Sequence, residues 1–243
     1  MHPADRPGPD PAAFLDRLLT KHPKLGFEPG AKASYSNLGF LVLGQIIQAA
    51  SGRPLQDYVR QEILGPLGIA HTDYAYPASA APVATGYQRR RSPMAPLMRW
   101  LLPAGIVGPD QDGYLAFHRF YVDGPAYGGL VGSVEDAARF LRMHLGDGEL
   151  DDTRILDTES AVARRQIRTR GRRFDLGLGW FRPAKRRSTS PALIQHRGVG
   201  GAFATDMRIY PEAALGVVMM GNATSYDRDQ IATLLAERWW RER

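Results

Sequence analysis

Apolar residues spaced three and four apart mark the first helices of this chain. Phe14, Leu15, Leu18 and Leu19 predict a short amphipathic helix that stops by His22-Pro23, after a proline-rich lead-in over Met1 to Pro11. Leu38 to Ala50 is a longer apolar run at helical spacing, preceded by Ser36-Asn37 and closed by Ser51-Gly52-Arg53-Pro54, and it reads as a buried helix. Leu55, Tyr58, Val59 and Ile63 mark another, ending in the turn Gly65-Pro66-Leu67-Gly68. Farther on, Ser133 is placed to cap a helix. Glu135 and Asp136 suit its positive start, Ala137, Phe140, Leu141 and Leu145 form its apolar face, and Gly146 and Gly148 close it.

The period then changes from helix to strand. Phe174 to Phe181, Ala192 to His196, Ala202 to Tyr210 and Leu215 to Met220 predict strands, with a hairpin turn at Tyr210-Pro211-Glu212. Ile231, Leu234, Leu235 and Trp239 define one face of a final helix over Asp227 to Arg243, expected to cover the sheet. Residues 74 to 127 show no clean period. Their prolines and glycines predict a long irregular loop lining a cleft. The expectation is an α+β fold in one domain over 1–243: a mainly helical region over 12–150, then an antiparallel sheet and C-terminal helix over 174–243, with no internal repeat.

Composition narrows the function classes. At 44% hydrophobic and 23% charged residues, the 243-residue chain matches ordinary globular proteins. The absence of cysteine excludes disulfides, thiolate metal ligands and a cysteine nucleophile. No apolar stretch is long enough for a membrane span, and the first residues lack the apolar core of a secretory signal, so the chain as written is expected in the cytoplasm. An export signal on a preceding segment would place it in the periplasm or outside the cell. The +6 charge comes mostly from arginine, with basic runs over 89–91, 164–173 and 185–187. Nucleic-acid binding is not expected, because no recognition-helix, zinc-finger or aromatic-interleaved basic motif accompanies the charge. His22, His71, His118 and His144 show no metal-ligand spacing, so neither a metal nor another cofactor is expected.

Four segments in order carry a resemblance: Phe27-Glu28-Pro29-Gly30 leading to Tyr35-Ser36-Asn37, then Pro66-Leu67-Gly68-Ile69, Gly128-Gly129-Leu130-Val131, and His196-Arg197-Gly198 with Gly200-Gly201. Together they resemble the penicillin-binding-protein and β-lactamase-related serine hydrolases, a family that includes DD-peptidases and esterases. The resemblance implies a transpeptidase-like fold and acyl transfer on a small-molecule ester, amide or peptide substrate. In that family a serine is activated by a lysine three residues later, one helical turn away on the same face. The lysines here are Lys21, Lys24, Lys32 and Lys185, preceded at that distance by Leu18, Lys21, Pro29 and Arg182. No Ser-x-x-Lys is present. The expectation is a family domain lacking its N-terminal strands and nucleophile helix, and inactive as an isolated chain.

By resemblance, Tyr35 is the general base or proton shuttle and needs nearby cations to lower its pKa, while Asn37 binds the substrate carbonyl or amide. Their ordinary alternatives are a tyrosine packed in a turn and a helix N-cap. His196 stands where relatives carry Lys-Thr-Gly or His-x-Gly and is expected to orient a substrate carboxylate or tune Tyr35. Gly198 would let backbone approach the ligand, and the Val199 amide would be one of two oxyanion donors. His196 and Arg197 in place of lysine and threonine favour esterase-like or peptidase-like relatives over β-lactam recognition. The rival expectation is a non-catalytic binding or assembly protein that keeps the cleft and associates with itself through an exposed sheet edge.

Overall fold

The computed structural model describes residues 1–78, 82–183 and 192–242. Strand β1 (His2–Pro3) leads to helix α1 (Pro11–Lys21), whose cap Asp10 accepts the Ala13 N–H at 2.7 Å while Pro11 occupies the first turn, where an N–H would lack a helical partner. Helix α2 (Asn37–Ser51) starts from Ser36, whose hydroxyl accepts the Gly39 N–H at 3.1 Å, and ends in left-handed Gly52. Helix α3 (Leu55–Val59) passes directly into a π turn over Arg60–Leu64, closed by the Gly65 N–H donating to the Arg60 carbonyl at 2.8 Å.

The stretch from 74 to 127, expected to be irregular, is built from regular elements on either side of residues 79–81, which lie outside the description. Strand β2 (Tyr87–Arg89), helix α4 (Met94–Leu101), and strands β3 (Val107–Gln111) and β4 (Tyr114–Phe117) give a three-stranded antiparallel sheet in the order β2-β4-β3. Strand β5 (Phe120–Tyr121) pairs with β1, and the short helix α5 (Pro125–Gly128) follows. Asp112 and Gly113, at φ 50° and 83°, make the two-residue turn between β3 and β4. The strands are too short to show alternation, and the register shifts between Val107 and Asp110, so periodicity alone misses them. Ile106, Leu115, Phe117 and Phe120 pack with Ala202 into a core of their own.

Helix α6 (Val134–Leu145) is capped by Ser133, as expected, with the hydroxyl accepting the Asp136 N–H at 3.1 Å. The Asp136 carboxylate accepts the His71 N–H at 2.7 Å and the Thr72 hydroxyl at 2.8 Å, tying the preceding loop to the helix start. Strands β6 (Glu149–Leu150) and β7 (Thr153–Arg154) form a small hairpin before helix α7 (Thr158–Arg165). Strands β8 (Phe174–Leu176), β9 (Phe181–Pro183), β10 (Ile194–Gly200), β11 (Phe203–Tyr210) and β12 (Leu215–Gly221) build an antiparallel sheet in sequential order, and helix α8 (Arg228–Arg241) ends the described chain. The single strand expected over Phe174 to Phe181 is a hairpin, turned at Gly177 to Trp180 with Gly179 at φ 88°. The basic run 185–187 lies outside the described residues.

Helix α6 packs on one face of this sheet, where Leu141 meets Trp180, Ile194 and Ile209; α8 packs on the other. The face α8 buries is not the one its large apolar residues suggest. Ala232, Ala236 and Trp240 meet Tyr210 and Val217, whereas Ile231, Leu234, Leu235 and Trp239 are 40%, 57%, 51% and 38% exposed. Two alanines let the helix approach the strands closely, and the larger side chains one step around the helix are turned away. Among the described residues no helix is long and apolar enough to cross a membrane.

Candidate functional site

The polypeptide reaches the site from three directions. Tyr35 and Asn37 flank the cap of α2, His196, Gly198 and Val199 follow one another along β10, and the segment before α6 forms the opposite wall. All five residues singled out from the sequence line one cavity of about 1540 Å³. Tyr74, Tyr76, Tyr121 and Tyr127 add an aromatic wall to it, so the 74–127 stretch does border a cleft. Gly44 brings α2 against α5: a Cβ there would lie 2.7 Å from the Ala126 methyl, so only glycine permits this approach of the Tyr127 segment.

Aromatic packing joins the Tyr35 and His196 side chains. The Phe181 ring lies 4.9 Å from His196 and 5.8 Å from Tyr35, and Phe40 lies 5.6 Å from Tyr35 and 6.3 Å from His196. Tyr35 and His196 themselves are edge-on at 6.3 Å. Phe40 and Phe181 were not expected at the site, since in sequence each reads as an ordinary core position of a helix or strand. Burial raises the Tyr35 pKa above the usual phenol value, with no cation among the described residues offsetting it. This is opposite to the lowering expected from the resemblance, and it leaves Tyr35 a neutral phenol at neutral pH.

His196 is oriented by backbone. Its Nδ1 lies 2.6 Å from the Gly179 carbonyl, which can only accept, so Nδ1 carries the proton and Nε2 is the acceptor nitrogen of the neutral ring. The tight β8–β9 turn at Gly179 is thus the device that fixes the imidazole, another contribution invisible in the sequence. Asn37 is exposed, and the N-cap role weighed for it belongs to Ser36. Its amide makes no hydrogen bond with the described residues and remains available to the cavity.

Gly198 lines the cavity and also has a packing role. A Cβ there would lie 2.5 Å from Thr205 Oγ1, on the residue directly across the β10–β11 pair. Its carbonyl accepts from Arg228 at 3.1 Å, which also donates to the Thr205 carbonyl at 3.2 Å and so clamps the strand pair from α8. β10 meets β9 only at Gln195–Phe181; beyond His196 its outer edge has no strand partner among the described residues, which leaves the backbone around Val199 beside the cavity.

Charge on the cavity wall is unevenly compensated. Arg197 and Arg208 share the carboxylates of Asp206 and Asp229 beneath the start of α8, with Arg208 2.7 Å from each. Arg173 is exposed on the wall next to Phe174, whose ring packs 5.0 Å from Phe181, and has no acidic partner among the described residues. No group of side chains among the described residues is arranged to hold a metal ion.

A family model described as Beta-lactamase matches residues 2–238. The D-alanyl-D-alanine-carboxypeptidase/endopeptidase AmpH of Escherichia coli (strain K12) is 26% identical over 205 residues, covering 81% of this chain and 47% of that protein. Among solved structures, the octameric penicillin-binding protein homologue from Pyrococcus abyssi superposes with a TM-score of 0.77 at 22% identity, over 97% of this chain and 48% of the other. The D-amino acid amidase from Ochrobactrum anthropi SV3 gives 0.69 at 23% identity, over 91% and 60%. These likenesses establish the β-lactamase/transpeptidase-like fold, and the chain spans about half the length of the curated relatives it matches.

Proposed function

Because the chain belongs to the Beta-lactamase family, we propose that its cavity is the substrate-recognition side of an acyl-transfer site, built for an ester, amide or peptide and unable by itself to form an acyl-serine. The observation that carries this reading is the convergence of Tyr35, Asn37 and His196, from separate segments, on one cavity beside the open edge of β10. Asn37 offers both a donor and an acceptor to a ligand amide. The Val199 N–H is the backbone donor for a carbonyl oxygen. His196 Nε2, oriented through Gly179, and Arg173 supply the polar and cationic contacts for a carboxyl group.

The sequence contains no Ser-x-x-Lys, so nucleophile, lysine and one oxyanion donor are absent together. Such groups act as a unit, and the remaining contacts support binding without turnover. A neutral Tyr35 fits this division, because it donates a hydrogen bond and does not accept a proton at neutral pH.

The test is an NMR titration of the purified chain with an N-acyl-D-amino acid amide and with a cephalosporin, followed by intact-mass analysis. Shift changes at the Asn37 side-chain amide and the Val199 N–H, weakened at least fivefold by Asn37→Ala, with no covalent adduct, are the expected result. A stable acyl adduct or catalytic turnover would overturn the inactivity. Binding indifferent to both Asn37→Ala and His196→Ala would overturn the site.

A further inference from the structure

Residues of an antiparallel strand turn their backbone groups alternately to one neighbour and to the other. On β10, Gln195 turns outward to pair with Phe181, so Arg197 and Val199, two and four residues on, turn outward as well. Gly198 turns the other way. Its carbonyl and that of Thr205, directly across on β11, both accept from one Arg228 nitrogen, at 3.1 and 3.2 Å, as only carbonyls facing each other can. The Val199 N–H is therefore directed away from β11, on an edge that has no strand partner beyond His196 among the described residues.

Strand β10 by itself holds this N–H loosely. Val199 stands between Gly198 and Gly200, residues with more backbone freedom to lose than any other, and the ladder to β11 supports one side only. The support comes from the connector between β12 and α8. Arg228 holds the carbonyl of the residue before Val199. The Tyr226 hydroxyl donates at 2.9 Å to the carbonyl of Ala204, the residue opposite Val199.

The connector is anchored in turn on the small sheet. The Tyr87 N–H donates to the Asn222 carbonyl at 2.7 Å, Asn222 Nδ2 to the Thr85 carbonyl at 2.9 Å, and the Thr224 hydroxyl to the side-chain oxygen of buried Gln88 at 2.7 Å. Hydrogen bonds thus run from β2 through residues 222–228 to the end of the β10–β11 hairpin.

We propose that Arg228 and Tyr226 are positioning residues for the Val199 N–H, doing for this end of β10 what a neighbouring strand does elsewhere. The proposal rests on the reading of Val199 as the donor to a substrate carbonyl. Such a donor is effective when it is fixed before the ligand arrives, because ordering it on binding costs affinity. The small sheet of the 74–127 stretch then acts on the site at a distance, by setting where the connector stands.

Relaxation and binding test the two parts separately. By ¹⁵N relaxation of the full chain, Val199 should have an order parameter near the rigid value of about 0.85, falling to about 0.6 or below in Arg228→Met and part of the way in Tyr226→Phe. Gln195, paired to β9, should keep its value, and Arg228→Lys should recover at least half of the loss. Titration with an N-acyl-D-amino acid amide and with the matching N-acyl-D-amino alcohol, which lacks the amide carbonyl, gives the second readout. Arg228→Met should weaken the amide roughly fivefold, the worth of one hydrogen bond, and the alcohol by less than about twofold. A role confined to stability would move both ligands alike. An unchanged order parameter at Val199 in both variants, or equal weakening of the two ligands, would overturn the proposal. Absence of a Val199 shift with the amide in the unmutated chain would overturn the donor reading and with it the positioning role, leaving the relaxation result to judge the brace alone.

Discussion

Lowering the pH from 7.5 to 5 should destabilise this protein through His144. The ring is 1% exposed at the last turn of α6, edge-on to Phe140 at 4.7 Å and to Trp180 at 5.1 Å, and neither nitrogen has a hydrogen-bond partner. Burial first, then the charges of Arg164 and Arg165, lower its pKa from 6.5 to about 3. Both folded and unfolded states are neutral above 6.5, so the group contributes no pH dependence there. Below 6.5 the unfolded chain takes up the proton and the folded chain does not, so stability falls with pH until about 3 is reached. The loss is roughly 2 kcal/mol by pH 5 and roughly 3 kcal/mol by pH 4, a sizeable part of the 5–15 kcal/mol typical of a domain. Asp175, held low by Arg182, and Asp229, held low by Arg197 and Arg208 against its burial, lie below the usual carboxylate range. Urea unfolding followed by circular dichroism at pH 7.5, 6 and 5 isolates the effect, with His144→Leu as the reference. The variant should lose most of the pH dependence and, by removing two unpartnered buried nitrogens, be at least as stable at pH 7.5. Equal slopes in the two proteins would refute the reasoning.

Other positions give equally direct checks. Gly198→Ala should lower stability by about 1–3 kcal/mol through its clash with Thr205 Oγ1, and Thr205→Ala in the same chain should recover at least half of that in thermal unfolding. Ala236→Leu should cost about 1–3 kcal/mol by forcing α8 off the sheet, whereas Leu234→Gln on the exposed side should stay within about 0.5 kcal/mol; the reverse order would contradict the orientation of the helix. ¹³C-labelled tyrosine spectra, assigned with Tyr35→Phe, should show Tyr35 ionising above the ordinary phenol range. A transition below pH 9 would mean that a cation reaches it.

Much of the fold was legible because its signals are local. Ser133 and Ser36 announce helix starts by their side chains, and the runs feeding β10, β11 and β12 have the length and β-branched content of strands. Asp112-Gly113 was also a local signal, and the best hairpin dipeptide in the 74–127 stretch, but the strands on either side are too short to draw attention by alternation. The orientation of α8 was not legible. Two apolar stripes lie on that helix, and which one is buried depends on how near the strands come; the alanine stripe wins because close approach buries more of β12 than a ridge of leucines would allow. Residue type and order singled out Tyr35, Asn37, His196, Gly198 and Val199, which line one cavity, but not what holds them. The carbonyl of Gly179, the rings of Phe40 and Phe181 and the guanidinium of Arg228 act through tertiary contact, and nothing in their sequence neighbourhoods marks them.

On the proposed reading, the same contacts account for a site that binds without completing the chemistry. Phe40 and Phe181 pack against Tyr35 beside His196, and although the residue is still 43% exposed, its partial burial supplies no charge and only raises the phenol pKa. Lowering that pKa requires a cation at the hydroxyl. Arg197 and Arg208 are committed to Asp206 and Asp229 beneath the start of α8, and Arg173 contributes nothing that offsets the rise at Tyr35. On the same reading, that cation comes with the nucleophile, since a lysine one helical turn from the serine would serve both groups. Recognition and activation are, on the proposed reading, separable: strand β10 and the start of α2 line the cavity that would receive a carbonyl, and the proton chemistry would depend on a Ser-x-x-Lys pair that this sequence does not contain.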